Sequence, residues 1–175
     1  PAAAPAPAPL KPVVPRYPSG NLPPLTPGNR SAAESALAQP ASDRVDALQR
    51  AVQLDPAWGA GWMELGRVAL ESGRPRVALT AGEAAVALEP KSAPAHQLFA
   101  AALARSGYPA DAAEQLEQAL AIAPGNAPGH LAVAGLYARE LGEPERARPH
   151  YERVLALEPH HPQSEAIRAW LAANP

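Results

Sequence analysis

A chain of 175 residues without cysteine has no disulfide, no thiolate metal ligand and no thiol nucleophile, although that absence leaves its compartment open. Its net charge of −2 is uneven: residues 1–30 carry Lys11, Arg16 and Arg30 with no acid, so subtracting those three leaves −5 on the remainder, and an acidic body argues against general nucleic-acid binding. No run approaches the roughly 18 apolar residues of a membrane-crossing helix, and the first residues lack the apolar centre of a signal peptide.

The first 28 residues hold ten of the 23 prolines. Missing amide hydrogens rule out a sheet there and the breakers rule out a helix, which leaves polyproline II or disorder. Segment 1–28 is therefore expected to be an extended arm. A plain tether is the favoured reading. An arm docked on a partner or on the rest of the chain is the other, with Val13, Val14, Tyr17, Leu22 and Leu25 as the side chains able to bury surface. Pro12-Val13-Val14-Pro15-Arg16 also has the form of a ligand for an aromatic-lined groove, a weak signal in so proline-rich a stretch.

Beyond the arm the chain is periodic. Pro56, Pro90, Pro124 and Pro159 stand 34, 34 and 35 residues apart, each closing one helical pattern and preceding another. A second series falls into register with them: Gly73-Arg74-Pro75, Gly107-Tyr108-Pro109 and Gly142-Glu143-Pro144. Gly can end a helix in the left-handed conformation, and Pro two residues later suits the first turn of the next, so each repeat is expected to be two helices with a tight turn. In the second full repeat Leu98, Phe99, Ala102 and Leu103 form one apolar stripe, and Ala112, Ala113, Leu116, Ala119 and Leu120 another. Neither helix could bury its stripe alone, so the units must stack.

Trp62-x-x-Leu65-Gly66, Ala69, Gly73, Ala78, Ala85 and Leu88-Glu89-Pro90 resemble the tetratricopeptide repeat, and the later repeats follow the pattern at their alanines and closing prolines. The resemblance implies an all-α, right-handed α-solenoid of helix-turn-helix units behind the arm. A degenerate leading repeat spans 29–58, with its first helix near Ser31–Ala38. Full repeats span 59–92, 93–126 and 127–161, the last with one extra residue near Glu140–Gly142. Residues 162–175 form a capping helix whose Ile167, Trp170 and Leu171 share one side.

The resemblance also implies that the first helix of each pair lines a concave groove. The candidate partner-binding residues are Met63, Arg67, Gln97, Ala101, Arg105, Leu131, Gly135 and Arg139. Arg105 and Arg139 occupy the same repeat position, with Arg67 nearby, so they read either as a basic ridge for a carboxylate-bearing peptide or as solvated helix ends that complement the helix dipole. The Lys and Asn set with which some members hold chaperone C-termini is missing: Met63, Arg67, Pro94, Gln97 and Leu98 stand in its place, which argues against a co-chaperone.

His96 and His130 fill the slot of Trp62, and with no His-x-x-x-His spacing they read as structural rather than metal ligands. No phosphate loop or Gly-x-Ser-x-Gly elbow is present, and carboxylates such as Glu114 and Glu117 fall at solvent-facing helix positions. The sequence therefore points to a non-catalytic scaffold without cofactor that binds a protein partner within a larger complex. A regulatory or targeting domain of a longer enzyme is the alternative. Thirteen Arg against two Lys and an Ala-Pro arm suggest a bacterial chain, periplasmic or tethered to the outer membrane by an upstream lipid anchor; a cytoplasmic adaptor is the rival.

Overall fold

The computed structural model describes residues 14–38 and 43–175. All regular structure among them is helical: α1 (Arg30–Ala38), α2 (Arg44–Leu54), α3 (Gly59–Glu71), α4 (Pro75–Leu88), α5 (Ala93–Arg105), α6 (Pro109–Ile122), α7 (Ala127–Gly135), α8 (Pro144–Leu157) and α9 (Ser164–Ala173). Side chains cap several N-termini. Asp43 accepts from the Val45 amide, Ser92 from Ala95 and Asn126 from Gly129, each filling a donor that the first turn leaves free.

The turns inside the repeats follow the Gly-x-Pro marks. Gly73, Gly107 and Gly142 adopt φ of 68°, 83° and 65°, a region that strains any residue with a Cβ. The next amide then reaches back into the helix just ended: Arg74 N donates to Ala69 O (2.8 Å), Tyr108 N to Leu103 O (3.0 Å) and Glu143 N to Tyr137 O (2.8 Å). The third bond spans one residue more than the others. That residue is absorbed by a π-helical turn, Leu136–Leu141, which continues α7 and keeps α8 in step with α4 and α6.

The core is built from alanines with few large side chains. Ala69, Ala78, Ala81, Ala84, Ala95, Ala102 and Ala112 are fully buried, so the helices approach closely around Trp62, Leu65, Phe99, Leu103 and Tyr137. At Gly82 an added Cβ would lie 2.7 Å from Phe99 Cα, so the backbones of α4 and α5 come close together there. The last repeat is closed by α9: Ile167 is buried, and Trp170 packs on Tyr151 at 4.7 Å between ring centres. Arg148 of α8 donates to the carbonyl oxygens of Leu171 (3.1 Å) and Asn174 (2.6 Å), filling acceptors at the end of α9. No described helix is long and apolar enough to cross a membrane.

Candidate functional site

Between α5 and α7 the array opens a pocket of about 390 Å³, with Gln97, Ala101 and Ala104 on one wall and Pro128, Ala132 and Leu136 on the other. Ala101, Ala104, Pro128 and Ala132 are exposed, so the floor is apolar and smooth. The structure thus gathers Gln97 and Ala101 of the expected groove, but not Leu131 and Gly135. Facing helices show each other different edges: α7 turns its 128, 132 and 136 row to α5, while Leu131 packs on the core of the last repeat and Gly135 is buried. Met63 packs against the core shared by α2, α3 and α4.

The three arginines are not alike. Arg67 is paired to Glu64 (2.7 Å) and Glu71 (2.6 Å), so its charge is offset within its own helix. Arg105 donates to Leu70 O at 2.8 Å, adding a side-chain donor to a carbonyl at the end of α3 that also accepts from Gly73 N. Arg139 lies folded back towards Gly135, where an added Cβ would meet its guanidinium at 2.7 Å. A continuous cationic ridge is therefore not what lines the pocket.

The position shared by Trp62, His96 and His130 has a common task. Trp62 Nε1 donates to Pro56 O at 2.8 Å, and the Nε2 atoms of His96 and His130 sit 3.0 Å and 3.1 Å from Pro90 O and Pro124 O. Each ring fastens its helix to the proline turn six residues earlier. The far side of His96 meets Gln115 at 2.8 Å, while that of His130 meets His150, which in turn lies 3.1 Å from Glu117. Burial lowers the His150 pKa from its ordinary value, an effect that Glu117 opposes. Among the described residues no three His, Asp or Glu side chains are grouped to hold a metal.

A second surface is already occupied. Residues 14–29 do not hang free as a tether but lie along α2, α4 and α6, which corrects the favoured reading for that stretch; residues 1–13 of the expected arm lie outside the described residues. Arg16 donates through both terminal nitrogens to Glu114 at 2.9 Å, and its Nε is 3.2 Å from Asp111. The Tyr17 amide donates to Asp111 (2.9 Å), its hydroxyl to Glu83 (2.9 Å), and the Gly20 amide to Glu83 (2.6 Å). The Tyr17 ring stands edge-on to Phe99 and Tyr108, with centres 5.6 and 5.5 Å away. Leu22 and Leu25 pack on the α2–α4 core, whereas Val14 is half-buried and Val13 lies outside the described residues. Glu114 and Glu117 thus have partners, Arg16 for one and Tyr137 and His150 for the other, and are not merely solvated.

The arm ends in a clasp on Asp55, which is buried. Gly28 N donates to it at 3.0 Å and Arg30 Nε at 2.6 Å, while the Arg30 guanidinium lies 4.8 Å from the Trp58 ring centre. The Gly28 amide, and then Arg30, hold the Asp55 carboxyl below its ordinary value. A depressed folded pKa means that the clasp is fully formed above the unfolded value and is lost as pH falls through the depressed one. The Gly28 amide proton resonance is therefore expected to titrate with a midpoint below 3.8, the ordinary aspartate value; a midpoint at or above 3.8 would show that the clasp is not made.

No protein-family model matches the sequence, and no curated protein matches it. Solved structures do. MamA superposes with a TM-score of 0.66 at 19% identity, over 75% of this chain and 82% of its own. The chain has the tetratricopeptide-repeat fold. YrrB, described as a TPR protein with an unusual peptide-binding site, gives a TM-score of 0.65 at 21% identity over 79% of this chain and 69% of its own. The TPR domain of Arabidopsis OM64 gives 0.60 at 19% over 67% and 96%. At such identities the likeness concerns the fold. In that fold the α5–α7 pocket lies between the first helices of successive tetratricopeptide units, and the arm runs along the second helices.

Proposed function

We propose that the chain is a non-catalytic scaffold that binds an extended segment of a protein partner in the α5–α7 groove. The observation that carries this reading is the groove's composition: exposed alanines and a proline leave the floor shallow and apolar, with Gln97 and Asn126 at its edge to pair with backbone amides. The likeness to YrrB, a protein described by its peptide-binding site, is consistent with it. Offset or engaged arginines make the groove better suited to small apolar side chains than to a carboxylate-rich ligand. A larger assembly at the bacterial cell envelope is the setting that the arm and the Arg-rich composition favour.

Ala101 is the position to test. A tryptophan there fills the pocket from an exposed site, so Ala101→Trp is expected to keep the helical circular dichroism of the unaltered chain and to lose its partner in affinity capture from the native organism. Arg105→Glu with Arg139→Glu is expected to keep it. A partner retained by Ala101→Trp and lost by the arginine pair would replace the apolar groove with the basic ridge.

A further inference from the structure

The repeat symmetry explains why the arm sits where it does. In the third repeat Tyr137 is buried and its hydroxyl donates to Glu117 at 3.2 Å while receiving Arg146. Moving back one repeat, Glu117 corresponds to Glu83, Arg146 to Asp111 and Tyr137 to Leu103. Leucine has no hydroxyl and a shorter reach. The phenol that Glu83 accepts from is supplied instead by Tyr17 of the arm, 2.9 Å away, while Asp111, at the position of Arg146, accepts from the Tyr17 backbone amide rather than meeting its hydroxyl. The arm thus fills from outside a position that the third repeat fills from within.

Several properties make this a recognition site rather than a fixed part of the fold. From 14 to 29 the arm has no helix or strand, and Ser19 N to Tyr17 O (3.0 Å) is its one internal backbone bond among the described residues. Its polar anchors all belong to the array. Arg16 forms a two-pronged pair with Glu114 that is about half exposed on both sides, and Glu114 is held below its ordinary pKa by that pair. The site reads a short motif: a guanidinium on Glu114 and Asp111, a phenol on Glu83, and an extended chain fixed by Pro18 after the tyrosine. The arm is joined to α1 at Arg30, ten residues beyond the last of these contacts at Gly20, so the motif can leave the site while the Asp55 clasp still holds.

We propose that the Glu83–Asp111–Glu114 surface is a binding site for an extended Arg-Tyr-Pro segment, filled in cis by the chain's own arm and able to take the arm of a second copy. In cis the tether supplies an effective concentration on the order of 1 mM, so the unaltered chain keeps its own arm and stays monomeric at micromolar concentration. Exchange follows when the cis contact is removed on one copy and the site is removed on another. This surface shares no residue with the α5–α7 groove, so its failure and that of the groove are separately visible.

The test uses full chains. Arg16→Ala with Tyr17→Ala empties the site on one copy; Glu83→Gln with Asp111→Asn and Glu114→Gln frees the arm of another. Mixed at concentrations approaching 1 mM, the charge-neutralised copy is expected to shift the α4 and α6 amide resonances of the emptied copy saturably, and the two to sediment faster together than either alone. A peptide of residues 14–21 should bind the first variant at least about tenfold more tightly than it binds the unaltered chain, and not bind the second. If the peptide binds but the two variants do not associate, exchange between copies is overturned. If the peptide does not bind the emptied site, or binds the charge-neutralised one equally, the site itself is overturned. Should the double alanine variant lose helicity, Arg16→Glu, an exposed change that repels Glu114, serves in its place with the same outcomes.

Discussion

Gly82→Ala is expected to destabilise the protein by about 1–3 kcal/mol, although the same exchange in an open helix stabilises by about 0.5–1 kcal/mol. The sign turns on the space between α4 and α5. An added Cβ would stand 2.7 Å from Phe99 Cα and 3.0 Å from Phe99 Cβ, and a backbone atom cannot swing aside. Gly66 is the internal control: its added Cβ meets Leu98 Cδ2 at 2.7 Å, the end of a flexible, half-buried side chain that can change rotamer. Thermal or urea unfolding should therefore rank Gly82→Ala well below Gly66→Ala, at about 2–4 °C in Tm for each kcal/mol. Because Phe99 is also the surface on which Tyr17 rests, the first variant should loosen the arm as well, seen as faster amide exchange at Tyr17 and Gly20. Equal stability of the two variants would mean that the helices do not meet this closely.

The sequence announced the helices because their ends are chemically loud. Pro75, Pro109 and Pro144 open helices, and Gly73, Gly107 and Gly142 close them, each through a backbone property that acts within a few residues. The extra residue near Glu140–Gly142 was legible as a count, whereas its accommodation as a π-helical turn depends on packing against α8. The arm was the opposite case. Arg16 and Tyr17 find partners 98 and 94 residues away, and no local pattern encodes such a pairing. Glu83, Glu114 and Glu117 look like any solvated helix carboxylate until the arm or the next repeat arrives. One signal was present in the text all the same: the tyrosine at 137 has leucine at its equivalent in the preceding repeat, and a tyrosine unaccounted for stood at 17. The groove was legible in part, since Gln97 and Ala101 face it, but which edge of α7 completes it depends on the rotation between neighbouring repeats.

Tyr137→Ala should have the larger effect of the two, about 3–5 kcal/mol, the range for removing a buried aromatic ring. The ring is 1% exposed, the Arg146 guanidinium lies 4.1 Å from its centre, and burial pushes its phenol up to about 12, so the hydroxyl donates and stays neutral throughout the working pH range. Removal leaves a cavity beside Val133, Ala147 and Tyr151 and strips Glu117 of one donor. In a stack where each repeat touches only its neighbours, that loss should be local: α7, α8 and α9 are expected to lose amide protection while α2, α3 and α4 keep theirs. Tyr137→Leu reproduces what stands at Leu103 and should cost less, because it keeps most of the apolar volume. It should also leave Glu117 as Glu83 would be without the arm, an acceptor facing an unfilled slot. Hydrogen exchange read repeat by repeat separates the outcomes, and a uniform loss of protection from α2 to α9 would mean that the array opens as one unit rather than repeat by repeat.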